Sequence, residues 1–361
     1  MSVSGFRAAL AAGIAALSLS GCAGVRYYWQ SVSGHLQMLH AARPVDDWLA
    51  DAQTPEQLKA RLLLSQRIRS FAVTDLKLPD NPSYRRYADL RRASVVWNVV
   101  AAPEFSLTLK TWCFPVAGCI GYRGYFNEAD ARAEAAQLQG EGLEVSVYGV
   151  PAYSTLGKLD WLGGDPLLIT FINYPEGELA RLIFHELAHQ VMYAADDTMF
   201  NESFATAVER LGSQRWLAAN ASQVAKDEYD ALDARRQQFR ALTAATRHDL
   251  TQIYLPNTAP GQQIRAQAAP KSIVMQKFKA DYAQLKQSWN GTPQSTAVYD
   301  GWVARANNAS FGAQAAYDEL VPGFEALFEA GGKDWQRFYD AVKRLAALPK
   351  SERHQALTTQ K

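Results

Sequence analysis

Apolar positions recur at helical spacing over both ends of this chain, and β-branched runs separate them. Between residues 25 and 78 two stripes stand out. Tyr28, Val32, Leu36 and Leu39 form the first, and Leu58, Leu62, Leu63, Ile68 and Phe71 the second. Residues three or four apart share one face of an α-helix, so each stripe predicts a helix with one covered side. Ser94 to Val100, Phe105 to Leu109, Tyr122 to Phe126 and Leu143 to Val150 then predict strands. Within that stretch residues 127–139, rich in Ala and Glu behind a capping Asn127, predict a helix that Gly140-Glu-Gly142 ends. Pro166 to Asn173 reads as a short buried strand. Glu176 to Tyr193 reads as a helix behind Pro175, with Leu179, Leu182, Ile183, Leu187 and Val191 on its apolar face. From Asn201 the pattern is almost wholly helical, in stretches at 204–243, 271–289 and 314–346. Breaks are expected at Pro256, Pro260, Pro270, Gly291 to Pro293 and Gly331-Gly332.

The Glu176 to Tyr193 helix carries His185-Glu186-Leu187-Ala188-His189. Positions four apart return to within about 40° on a helix, one turn along the axis, so both imidazoles can reach one ion. A catalytic zinc keeps three protein ligands and leaves a fourth position for water. Glu186, beside His185, fits the base that takes that water's proton. The bland alternative is a pair of ordinary histidines on an amphipathic helix.

A third ligand is sought downstream, and Glu202 in Asn201-Glu202-Ser203-Phe204-Ala205-Thr206 is the candidate if a second helix returns antiparallel to the first. Asp196 and Asp197 are nearer in sequence and read equally as a solvated turn. Glu209, two turns beyond Glu202, is a further rival; it reads otherwise as an exposed helix charge or as a partner for the free ring N–H of a ligand histidine. With these motifs the chain resembles the gluzincin metallopeptidases, whose second helix carries N-E-x-x-A. The segments I-F-H-E-L-A-H-Q, N-E-S-F-A-T and W-C-F-P-V-A-G-C-I-G-Y-R-G-Y-F from Trp112 to Phe126 resemble a narrower group, bacterial lipoproteins described as predicted aminopeptidases. The resemblance implies an α+β fold: a zincin-like core with a small mixed sheet, an HExxH helix and a largely helical C-terminal region. It also implies Zn²⁺ on His185, His189 and Glu202, and a peptide substrate. The twelve residues between His189 and Glu202 are fewer than gluzincins usually have. In related peptidases a downstream Tyr or His stabilises the oxyanion; the candidates here are Tyr299, Tyr317 and His248.

Composition adds a compartment more than a substrate. The formal charge is +1 in 361 residues and no basic run occurs, so nothing points to nucleic acid. Arg7, the apolar stretch from Ala8 to Leu19 and Leu19-Ser20-Gly21-Cys22 read as a signal peptide, too short to span a bilayer as a mature helix. L-S-G-C resembles the bacterial lipobox, which implies cleavage before Cys22, a lipid on that cysteine, and membrane attachment. Ala23 rather than Asp follows, and by resemblance to sorted lipoproteins this favours the periplasmic face of an outer membrane. The remaining Cys113 and Cys119 form an even pair in an oxidising compartment and predict a disulfide; a two-cysteine metal site is the weaker alternative.

The expected organisation is a signal peptide over 1–21, a helical segment over 22–90, a sheet-containing subdomain with the HExxH helix over 91–200, and a helical subdomain carrying the third ligand over 201–361. His35 and His40, five apart on an apolar segment, read as structural. Tyr153 to Leu156 is either a substrate-binding edge strand or a connecting loop, and Asp160 and Asp165 either bind a peptide's amine or cap turns. The functional expectation is a zinc-dependent peptide hydrolase, an aminopeptidase by resemblance. The alternatives are a zinc endopeptidase or cell-wall peptide hydrolase, and a non-enzymatic lipoprotein with a structural zinc. Oligomeric state is left open.

Overall fold

The computed structural model describes residues 26–114, 118–157, 162–255, 260–289 and 293–359. The N-terminal region forms three helices, α1 over 26–41, α2 (Val45–Ala50) and α3 (Glu56–Thr74). A short strand β1 (Arg43–Pro44) pairs antiparallel with β2 (Arg86–Ala88), and β2 pairs in parallel with β8 (Leu167–Leu168).

A second sheet is antiparallel, with β3 (Val96–Pro103) between β6 (Arg123–Tyr125) and β7 (Leu143–Val150). Strand alternation explains its position. Val99 and Ala101 face a cluster with Ala131, Ala135 and Leu138 of α4 (Glu128–Gly140), while Val100 and Ala102 pack on Ala309 of α11 (Asn308–Asp318). Helices therefore cover both faces, and β3 is buried along nearly its whole length. Asn127 caps α4 by accepting from the Ala129 N–H at 2.8 Å, as its sequence predicts. A third small sheet is the hairpin of β4 (Trp112–Phe114) and β5 (Gly118–Ile120), closed by the expected Cys113–Cys119 disulfide.

Behind the sheets, α5 (Ile169–Ile172) leads to α6 (Glu176–Val191) and α7 (Thr198–Asn220). The remaining chain folds as α8 (Gln223–Tyr254), α9 (Pro260–Ser288), α10 (Pro293–Ala304), α11, α12 (Val321–Ala330), α13 (Trp335–Ala346) and α14 (Lys350–Thr358). The fold class is α+β, as expected. The main core draws on residues from Met38 to Leu357, and α7 runs through it buried from Phe200 to Glu209. A satellite core of Phe239, Phe278, Tyr282, Trp289 and Phe311 joins α8 to α11.

Three local expectations are corrected. Pro166 to Asn173 is a two-residue strand followed by a helix, because only Leu167 and Leu168 find a ladder partner and the rest of the apolar run is buried as a helical turn. Phe105 to Leu109 is no strand: Leu107 and Leu109 are drawn into separate apolar clusters, and among the described residues no strand pairs with the segment. Pro270 does not stop a helix but lies inside α9, whose Phe278 and Tyr282 are anchored in the satellite core. An interior proline costs a helix roughly 3 kcal/mol, and the packing of those two rings offsets that cost.

Candidate metal centre

Helices α6 and α7 run antiparallel, and their cross-links record the register. Trp216 donates to Glu176 at 3.0 Å, Arg181 and His185 meet Glu209, and His185 and His189 meet Glu202. At the closed end Asn201 clasps Ala194, accepting from its N–H at 2.8 Å and donating to its C=O at 2.7 Å. That clasp, with Asp196 in the left-handed region at φ 65° and Asp197 capping α7, explains how a twelve-residue gap suffices. Gly212 lets the helices close elsewhere, since a Cβ there would lie 2.8 Å from Leu76 and 3.0 Å from Phe184.

The expected donors meet. His185 Nε2 is 3.2 Å from His189 Nε2 and 3.3 Å from Glu202 Oε2, and His189 Nε2 is 3.6 Å from Glu202 Oε2. Atoms bound about 2.0 to 2.1 Å from one ion at tetrahedral angles stand about 3.3 Å apart, so these three residues fit a zinc-sized cation. Among the described residues the cluster has three donors, and all three line a cavity of ≈ 560 Å³. The other carboxylates are committed elsewhere. Asp196 accepts from the Cys119 N–H at 2.6 Å. Asp197 caps Phe200 at 3.2 Å and pairs with His354 at 2.9 Å.

Glu209 takes the orienting position. Its Oε2 is 3.0 Å from His185 Nδ1, and its other oxygen accepts from Arg181 at 2.8 Å. Arg181 also faces Glu178 at 3.6 Å, and Glu178 accepts from Arg236 of α8 at 2.6 Å. A chain of alternating charge thus ties the His185 ring to α8. The Nδ1 of His189, also buried, has no hydrogen-bond partner among the described residues.

Electrostatically the cluster favours positive charge. Burial would lower the His185 imidazole, yet hydrogen bonds to Glu202 and Glu209 raise it to about 10. Burial would raise Glu202, but His189 and His185 hold it down at about 2. Glu209 is likewise pulled below the carboxylate range against burial, by Arg181 and His185. Glu186 moves the other way: burial raises it, with Glu202 and Glu209 adding to the effect against the two histidines.

Of the three oxyanion candidates, Tyr317 alone lines the cavity, with its ring 6.4 Å from that of His185 at 23°. Glu202 and burial raise its hydroxyl well above the ordinary value. Tyr299 packs on Phe239 and Trp289 in the satellite core, and His248 belongs to α8, away from the cavity. Sequence reasoning missed Tyr122 and Tyr193, which line the cavity from irregular segments, and Tyr27 and Ser31 of α1. His35 is buried with both ring nitrogens unpartnered among the described residues, and His40 is exposed; neither lines the cavity.

Residues 151–156 border the cavity as irregular backbone continuing from β7, so the edge-strand expectation gives way to the loop. Asp165, fully buried, spends its oxygens on Thr155 N–H at 3.1 Å, Ser154 at 3.3 Å and Gln190 at 3.3 Å, so it braces this loop and is closed to a substrate amine. Asp160 and Cys22 lie outside the described residues. The β4–β5 hairpin supplies Phe114 and Ile120 to the cavity wall. Gly118, at φ 71°, lets it sit on the α6–α7 loop, where a Cβ would lie 2.5 Å from Asp196 Oδ1.

The imidazole–carboxylate cluster shares the cavity wall with Tyr27, Phe114, Tyr122, Phe126 and Tyr317. The chain belongs to the family described as Putative aminopeptidase, whose model matches residues 26–357, and that membership places it among the peptidases. No curated relative and no solved structure matches it.

Proposed function

We propose that the chain is a zinc-dependent aminopeptidase, lipid-anchored through Cys22 at the periplasmic face of an outer membrane. The observation that carries the metal reading is the near-tetrahedral spacing of three donors on two helices, 3.2 to 3.6 Å apart at the base of a cavity. The choice of aminopeptidase rests on the family description. His185, His189 and Glu202 would hold the ion. A zinc ion there supplies Lewis acidity, lowering the pKa of water and polarising a peptide carbonyl.

The chain's own residues do the rest. Glu186, on the cavity wall beside His185, takes a proton from the attacking water as the C–O bond forms, and delivers it to the amine nitrogen as the C–N bond breaks. The Tyr317 hydroxyl is the donor nearest in role to the developing oxyanion, since its ring lies alongside His185. Glu209, fixed by Arg181, keeps the His185 ring turned so that Nε2 faces the cluster. The tyrosines and Phe114 give the cavity an aromatic wall beside the reacting bond.

Among the described residues the cluster offers three donors, which suits this reading better than a structural zinc with four protein ligands. The test is zinc stoichiometry together with cleavage of one peptide carrying a free or an acetylated N-terminus. One zinc per chain and cleavage of the free peptide alone are expected. Equal cleavage of both would make it an endopeptidase, and a chain without zinc or hydrolysis would sink the assignment.

A further inference from the structure

Among the described residues the large exposed apolar side chains are scattered singly, with one exception. Leu63, Val224, Ile273 and Val298 lie on four different helices. On α1, by contrast, Tyr28 is 46% exposed, Trp29 71%, Val32 54% and Leu36 52%. At about 100° per residue these four occupy a single arc of about 100°, and they span about 12 Å of helix axis. Arg26, Gln37 and His40, all exposed, flank the arc on one side. The opposite face of α1 is fully engaged. Arg123 stacks over Tyr27 at 4.0 Å, Gln30 exchanges hydrogen bonds with Gly124 and Phe126 at 3.3 and 3.0 Å, and Met38 is buried in the main core. The stripe is therefore not a packing surface awaiting its own domain.

We propose that this stripe is a membrane-docking face that lies in the interfacial layer of the bilayer to which Cys22 is attached. The inference rests on the reading of Cys22 as acylated and goes beyond it. Cys22 is only four residues ahead of Arg26, the first described residue of α1, so an acyl chain there holds the start of this helix close to lipid. Trp and Tyr beside aliphatic residues, with a cationic side chain at the flank, are the composition that settles at the headgroup boundary. Arg26 is suited to that flank, its side chain 80% exposed although Asp130 lies at 2.9 Å. A shallow apolar face adds its own buried area to whatever attachment a lipid on Cys22 provides. Among the described residues no helix is long and apolar enough to cross a membrane, so the contact is a lying one. Because Tyr27 and Ser31 of the same helix line the cavity, docking would hold the metal centre at a fixed height above the bilayer.

Nitroxide scanning tests this on the acylated chain in phosphatidylethanolamine and phosphatidylglycerol vesicles, with Cys22 blocked by its lipid and Cys113 and Cys119 by their disulfide. Labels are placed singly at Trp29→Cys, Val32→Cys, Leu36→Cys, Ser33→Cys, Gln37→Cys and Val224→Cys, and collisions with lipid-soluble oxygen and an aqueous nickel chelate are compared. Positions 29, 32 and 36 should favour oxygen over nickel by about tenfold relative to 33, 37 and 224, a helical periodicity that tethering alone does not produce. Equal nickel access at all six positions would overturn the docking face. Spin–spin broadening at 29 and 36 in vesicle-free solution, rising with protein concentration, would give the stripe to a second copy and overturn it as well. Mass analysis of the native chain reports Cys22 acylation separately, so the two readings fail distinguishably.

Discussion

Helix α7 and helix α8 follow one another in sequence yet solve opposite problems. α7 is buried all round from Phe200 to Glu209, with Asn201, Glu202, Ser203, Thr206 and Glu209 among apolar neighbours. Polar groups in such a place cost several kcal/mol unless partnered. Asn201 clasps Ala194, Ser203 accepts from the Leu320 N–H at 3.3 Å, and Glu209 bridges Arg181 and His185. α8, 32 residues long, buries only Tyr229, Phe239, Thr243, Thr246 and Leu250, and is held by aromatic contacts such as Phe239 with Trp302 at 5.3 Å and with Tyr299 at 4.9 Å. The difference separates a helix that buries a polar pattern by giving each group a partner from one that is held by apolar contacts at a few positions.

Three substitutions sharpen or break that contrast. Glu186→Gln should lower turnover by about 10²- to 10⁴-fold, the usual share of a general base, while zinc content stays at the wild-type level. Substantial hydrolysis by a pure, zinc-loaded variant would remove Glu186 from that role. Phe239→Ala should cost about 3 to 5 kcal/mol of stability by urea unfolding, with zinc affinity unchanged. A parallel fall in affinity would show that the satellite core and the metal layer are one cooperative unit. Glu209→Gln should weaken zinc binding by about 10- to 100-fold by competition with a chelator, through loss of the charged partner of His185. No change in affinity would reduce Glu209 to a partner of Arg181 alone.

The chemistry-bearing helices were legible in the sequence because their signals are local. The apolar face of α6, the spacing of His185 and His189, and the capping Asn127 of α4 each lie within a few turns of chain. Glu202 was one of several carboxylates until Asp196, accepting from the Cys119 N–H, and Asp197, capping α7, were seen to be committed elsewhere. What stayed hidden depends on distant partners. Nothing local distinguishes Leu167 and Leu168, which pair with β2, from Phe171 and Ile172, which become helix. Tyr122 and Tyr193 have no period to betray them, and Tyr317 shares its candidate status with Tyr299 until α11 is seen lying between the sheet and α7.

The Asn201 clasp has a bearing on the order in which the protein is built. All three donors fall within the eighteen residues from His185 to Glu202, inside one helical hairpin, whereas the cavity walls come from Tyr27 at one end of the chain and Tyr317 near the other. Short-range contacts close with little loss of chain entropy and long-range ones with more. The hairpin that gathers the three donors is thus expected to assemble before the cavity walls around it, so that a newly made chain brings its imidazoles and Glu202 together first and encloses them last.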